Sequence, residues 1–139
     1  MVSDFRRFIY QDDTLYDGIA IDVGGPGFQF NDEFDTETCD AIRARLAPGG
    51  RIVMNVTVLN DIDPTPDRIA ARLAGDSLRV WIVDEQGIEE RNAVIACLPE
   101  RQLNARSGLN DILHGNLEKW SIRRGRLHHR DPPCGSRNG

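Results

Sequence analysis

Four short apolar runs within the first hundred residues set the strongest limit on how this chain folds. They are Tyr16–Val23, Arg51–Val58, Ser77–Asp84 and Arg91–Leu98. Each is too short for a core helix and is bounded by Gly, Pro or polar clusters, so each reads as a strand. Helical patterns separate the first three. Asp35 is placed to cap a helix running to about Leu46, with Cys39, Ile42 and Leu46 on one face and "APGG" ending it. Thr65-Pro66 opens another, with Ile69, Ala70 and Leu73 inward and Gly75 at its end. Phe5–Tyr10 reads as a short helix or the stub of one. The order β-α-β-α-β-β predicts an α/β fold: a mostly parallel sheet with helices on its faces and one antiparallel strand from the closing hairpin.

The rest of the chain has a different character. Leu109, Ile112, Leu113, Leu117 and Trp120 recur at helical spacing and predict an amphipathic helix that packs on the body or on a partner. Residues 119–139 hold six Lys/Arg and one acid, whereas residues 1–118 hold eleven Arg and twenty-one acids. We therefore expect three regions: a domain over 1–99, the helix region over 100–122, and a basic, disordered tail over 123–139. The acidic body suits a cationic small-molecule ligand and makes nucleic acid an unlikely partner.

No apolar run approaches the ~20 residues of a membrane span, and no signal peptide is read in the first residues. Cys39, Cys97 and Cys134 are odd in number and form no CxxC pair. That favours a reducing cytoplasm over a disulfide framework or a zinc site. His128-His129 is poorly spaced for one metal, and His114 stands apart. Trp81 and Trp120 read as packing residues.

The stretch "YDGIAIDVGGPG", residues 16–27, admits two readings. It is a glycine loop cradling a cofactor phosphate, or an internal strand with Asp22 at its carboxyl end. The first needs backbone N–H groups, but Pro26 lacks one and the spacing misses GxGxxG. The second fits the rule that ligands bind open α/β sheets outside the carboxyl ends of the strands.

"RLAPGGRIVMNV" (45–56) resembles the LxPGGxhhhN stretch that leads into strand five of class I S-adenosylmethionine-dependent methyltransferases. "VSDFRRFI" (2–9) and "YDGIAID" are similar to consecutive segments of the spermidine synthase-like branch of that superfamily. With "RNAVIACL" these matches span roughly residues 2–98, and their order and spacing carry the resemblance.

That resemblance implies the C-terminal half of a Rossmann-like catalytic domain, with sheet order 4-5-7-6 in methyltransferase numbering and helices on both faces. It implies S-adenosylmethionine or decarboxylated S-adenosylmethionine as cofactor, and methyl or aminopropyl transfer as the reaction. Asp4 corresponds to an acid that accepts from the adenine amino group, and Phe5 would lie beside the adenine ring. Asp22 matches the strand-four acid that helps deprotonate the attacking amine. The family's next acid, three residues on, is Gly25 here, so one anchor for a polyamine is missing. The glycine-rich cofactor motif would lie before residue 1, and the chain is expected to be inactive alone. The strand over 16–23 then has an unpaired edge, predicted to be covered by a second copy, by a separate N-terminal half, or by the chain's own C-terminal region. The alternative is a non-catalytic binding or dimerisation module on the same fold.

Overall fold

The structure is a computed structural model, and it describes residues 5–99 and 121–124. Asp4, the histidines, Cys134 and the stretch 109–120 lie outside the described residues. In chain order the elements are α1 (Phe5–Gln11), β1 (Tyr16–Ile21), α2 (Phe30–Glu33), α3 (Thr36–Ala44), β2 (Leu46–Val58), α4 (Thr65–Ala74), β3 (Leu78–Asp84), β4 (Arg91–Pro99) and β5 (Ser121–Arg124).

The strands form one five-stranded sheet in the order β1-β2-β4-β3-β5. β1 and β2 pair in parallel, whereas β2–β4, β3–β4 and β3–β5 pair antiparallel. Strands β1, β2 and β3 therefore run one way, and β4 and β5 the other. The mixed α/β character agrees with the sequence reading. The sheet differs from the expected 4-5-7-6 arrangement in carrying a fifth strand beyond β3, which makes a second antiparallel strand. No alternation in residues 121–124 announces it. The outer edge of β3 offers unpaired N–H and C=O groups, and a strand of four residues satisfies them.

Strict alternation decides where the core sits. Ile52, Met54, Val56 and Val58 of β2, Val80 and Ile82 of β3, and Ala93, Ile95 and Cys97 of β4 are all buried. Their registers put them on one face: Ile52 opposite Cys97, Met54 opposite Ile95, Val80 opposite Cys97. Cys39 and Ile42 of α3 and Ile69, Ala70 and Leu73 of α4 join the same cluster. Phe5 and Ile9 of α1 pack against its margin. Among the described residues, the helices pack on this one face. The registers leave Val53, Ala96 and Trp81 in a row on the other, with Val53 40% exposed.

Local chemistry explains the element ends. The Asp35 carboxylate accepts from Thr38 N at 2.8 Å and starts α3 as the sequence predicts. α4 begins at Thr65 with Pro64 as its cap, and Asp63 accepts from Thr65 N at 2.9 Å and from Leu59 N at 2.9 Å. Burial pushes the Asp63 carboxyl up, but these hydrogen bonds outweigh it and leave its pKa lowered. The Arg43 guanidinium donates to Arg72 O at 2.7 Å and Leu73 O at 3.3 Å, satisfying carbonyls at the end of α4.

"APGG" ends α3 but does not lie outside the sheet. β2 starts at Leu46, and its register with β1 jumps from Tyr16–Leu46 to Gly18–Arg51. The irregularity needs its glycines. Gly49 has φ +79, and a Cβ on Gly50 would sit 2.9 Å from Ala47 O and 3.0 Å from Tyr16 O.

Candidate active site

Asp22 follows directly on β1, at the carboxyl end of its parallel pairing with β2. Because Ile21 lies opposite Met54, the next position on β2 is Asn55. Asn55 donates from Nδ2 to Asp22 Oδ1 at 3.1 Å. Among the described residues the other Asp22 oxygen receives no hydrogen bond, and the side chain is exposed. An exposed carboxylate held by one neutral amide is oriented but not consumed. It can accept a proton or bind a cation.

A pocket of about 230 Å³ runs along β1, between that strand and α1. Phe5 and Ile9 from α1, Ile19 and Ile21 from β1, and Ile42 from α3 give it apolar walls. Asp22 stands at one end. Asp12, Tyr16 and Arg45 stand at the other.

The far end is already committed. The Tyr16 hydroxyl donates to Asp12 Oδ2, and Thr14 N donates to Asp12 Oδ1 at 2.9 Å. The Tyr16 hydrogen bond, followed by those from Thr14, lowers the Asp12 pKa, and the same bond raises that of Tyr16. Arg45 reaches Asp13 at 3.3 Å. Of the two pocket carboxylates, Asp22 is the one left open to a ligand.

The sequence reading singled out Phe5 and Asp22, and both line this one pocket. Phe5 is also part of an aromatic cluster that the sequence reading did not anticipate. Its ring stacks on Phe34 at 5.2 Å and 20°, and Phe34 in turn stacks on Phe30 at 6.3 Å and 17°. One face of Phe5 is thereby taken by Phe34. Asn55 was missed as a partner of Asp22. The signal was an Asn inside an otherwise apolar strand, but only the parallel register brings the two residues together.

Gly25 holds φ +141, so the place where an acid was expected has backbone that L side chains rarely adopt. Cys39 and Cys97 are buried thiols pushed up to about 12, chiefly by burial, and are unsuited to nucleophilic work. Among the described residues no group of His, Cys, Asp or Glu is placed to hold a metal, and no helix is long and apolar enough to cross a membrane.

The resemblance drawn from the sequence implies an adenosyl ligand, against which the pocket can be compared. A purine is flat, apolar on its faces and polar at its edges, which matches aliphatic and aromatic walls. Among the described residues, neither a glycine-rich turn nor a second free carboxylate lines the pocket to hold a ribose.

No protein-family model matches the chain, and no curated protein matches it in sequence. Its fold is similar to the crystal structure of a probable spermidine synthase from Corynebacterium glutamicum ATCC 13032. The TM-score is 0.62 at 18% identity, over 90% of this chain and 48% of that one. The chain thus spans about half the length of the solved protein it matches, and at that identity the likeness establishes a spermidine synthase-like fold.

Proposed function

We propose that this chain is the acceptor-side half of a spermidine synthase-like S-adenosyl transferase. The observation that carries the reading is Asp22. It lies exposed at the carboxyl end of β1, is oriented by Asn55, and opens onto the apolar pocket that Phe5 also lines. S-adenosylmethionine or its decarboxylated form, when bound, supplies a carbon made electrophilic by the adjoining sulfonium. The protein's part is to hold an amine acceptor and take its proton. A protonated amine has no lone pair with which to attack, so the acceptor must lose a proton, and Asp22 is the group that receives or relays it. The new N–C bond forms as the C–S bond breaks, and its electron pair goes to sulfur. Asn55 keeps the Asp22 carboxylate facing the acceptor.

On this reading a further segment completes the ribose side of the site, since no described residue lining the pocket does so. β1 gives it a place to join. Among the described residues β1 pairs with β2 alone, and an unpaired strand edge is a template for a further strand. A second copy of the chain is the other occupant of that edge.

A second reading rests on Gly25. A glycine at φ +141, a backbone that L side chains rarely adopt, stands where a second acid would anchor a polyamine, which favours a binding or dimerisation module that keeps the fold without the chemistry. Calorimetric titration with S-adenosylmethionine, its decarboxylated form and methylthioadenosine separates the two. Micromolar binding, weakened by Phe5→Ala and retained by Asp22→Asn, supports the transferase reading. A folded chain with no affinity for any of the three, alone or mixed with the N-terminal half of a spermidine synthase, supports the module.

A further inference from the structure

Two neighbouring loops hold apolar side chains out in water on backbone that is tied down. Residues 59–64 follow β2, and residues 85–90 join β3 to β4, at the same end of the sheet as Asp22. In them Leu59 is 59% exposed, Ile62 88% and Ile88 46%. An aliphatic side chain left in water contributes nothing to the core.

Hydrogen bonds fix both loops and join them. Within the first, Asp63 N donates to Asn60 O at 3.2 Å, Ile62 N to Asn60 Oδ1 at 3.1 Å and Leu59 N to Asp63 Oδ2 at 2.9 Å. Across to the second, Glu90 N donates to Leu59 O at 3.0 Å, and Gly87 N to the two Asp61 carboxylate oxygens at 3.0 and 3.2 Å. Arg91 reaches Asp61 at 3.0 Å and donates to Ile88 O. Glu90 holds a φ of 50°, uncommon for a residue with a side chain, and its N–H is the one that meets Leu59. Folding has thus already ordered these loops, so a partner need not.

The charge around the apolar side chains is of one sign. The loops contain Asp61, Asp63, Glu85, Glu89 and Glu90, and no Lys, Arg or His. Asp61 is paired with Arg91, and Asp63 is taken up by backbone N–H groups. Glu85, Glu89 and Glu90 are left without an ion partner among the described residues. Grouped apolar side chains rimmed by polar ones mark interaction sites, and the rim selects the partner's charge.

We propose that these two loops form a docking surface for a basic segment of another protein, one that carries apolar side chains among its lysines or arginines. The apolar side chains cover Leu59, Ile62 and Ile88, and the cations meet Glu85, Glu89 and Glu90. Charge argues against a second copy, because the same face on both partners sets carboxylate against carboxylate. The surface is separate from the pocket beside Asp22 and from the edge of β1, and it does not depend on the transferase reading.

Fluorescence anisotropy of the full chain tests this with a labelled peptide of leucine and lysine patterned as an amphipathic helix. A leucine–glutamate peptide of the same pattern is the control. Saturable binding of the lysine peptide alone is expected. Ile62→Ser should weaken it about tenfold, as loss of one anchor does. Glu89→Lys should weaken it as well, whereas Glu37→Lys on α3 makes the same change in net charge away from the loops and should not. All three side chains are exposed, so each variant should keep the parent's circular dichroism. Failure of the lysine peptide to bind, equal binding of both peptides, or binding that survives Ile62→Ser and Glu89→Lys overturns the proposal. So does an equal loss with Glu37→Lys, which would reduce the effect to overall charge, or self-association of the parent that Ile62→Ser abolishes.

Discussion

Asp22 and Asp84 stand at the carboxyl ends of two strands that point the same way, and the fold treats them in opposite fashion. Asp84 is 3% exposed and takes a two-pronged contact from Arg91, Nε to Oδ1 at 2.6 Å and Nη2 to Oδ2 at 2.9 Å. Arg91 also reaches Asp61 at 3.0 Å and donates to Ile88 O. This cluster ties the β3–β4 hairpin to the loop before α4. Both Asp84 oxygens and all three Arg91 side-chain nitrogens are engaged and buried, so the pair serves structure. Asp22 has one amide neighbour, open water and an apolar pocket beside it. The lesson is that strand-end position alone does not make an acid functional. Binding a ligand requires a spare lone pair as well, and Asp22 has one.

The comparison can be broken first at Arg91. Arg91→Leu strands the buried Asp84 carboxylate and should cost about 3–5 kcal/mol in urea unfolding. Adding Asp84→Leu should recover most of that loss, because the pair is replaced by apolar volume. A single variant as stable as the parent would mean that the cluster is not structural.

Gly25→Asp restores an acid three residues after Asp22 and tests the other side. With φ +141 at that position the substitution should cost about 1–3 kcal/mol in strain, although a Cβ there meets nothing within 4 Å. If the transferase reading is right, affinity for a diamine should nevertheless rise, as titration would show.

Asp35 is the intermediate case, exposed yet committed to capping α3. The hydrogen bond from Thr38 N, followed by that from its hydroxyl, holds the Asp35 carboxyl below its ordinary 3.8. A depressed carboxyl contributes stability above its unfolded pKa and loses it as pH falls through the folded one. Asp35→Asn should therefore leave the neutral-pH midpoint nearly unchanged and make the fall in stability below about pH 4 shallower. Denaturation midpoints across pH 2–6 check it.

Asp22→Asn should have the smallest structural effect, within about 0.5 kcal/mol, since the side chain is exposed and makes one neutral hydrogen bond. Amine-dependent turnover with the completed cofactor site should be lost while nucleoside affinity stays. A large loss of stability would make Asp22 a structural acid like Asp84.

Much of this was legible in the sequence. The first four strands, α3 with its Asp35 cap, and the inward set Cys39, Ile42, Ile69 and Leu73 follow from periodicity and capping chemistry. Asp22 could be placed at a strand end because the run before it is apolar and the run after it is glycine-rich. Other features were not legible because they depend on residues distant in the chain. Asn55 meets Asp22 only through the parallel register, and Arg91 finds Asp84 and Asp61 only once hairpin and loop are folded together. The Phe5–Phe34–Phe30 stack links α1 to α2 and its C-cap residue by contact rather than by spacing. β5 carries no pattern of its own in four residues and exists because β3 offers an edge.

By itself the sequence determined which segments are strands and helices, since apolar period and end-capping are local properties of the chain. It determined too that one strand would deliver a carboxylate to a sheet end. Only the tertiary structure decided which carboxylate remains available. Partners for Asp84 and Asp12 come from other parts of the fold or from a turn closing back on itself, and they saturate those acids. The neighbour that register places beside Asp22 is a single neutral amide.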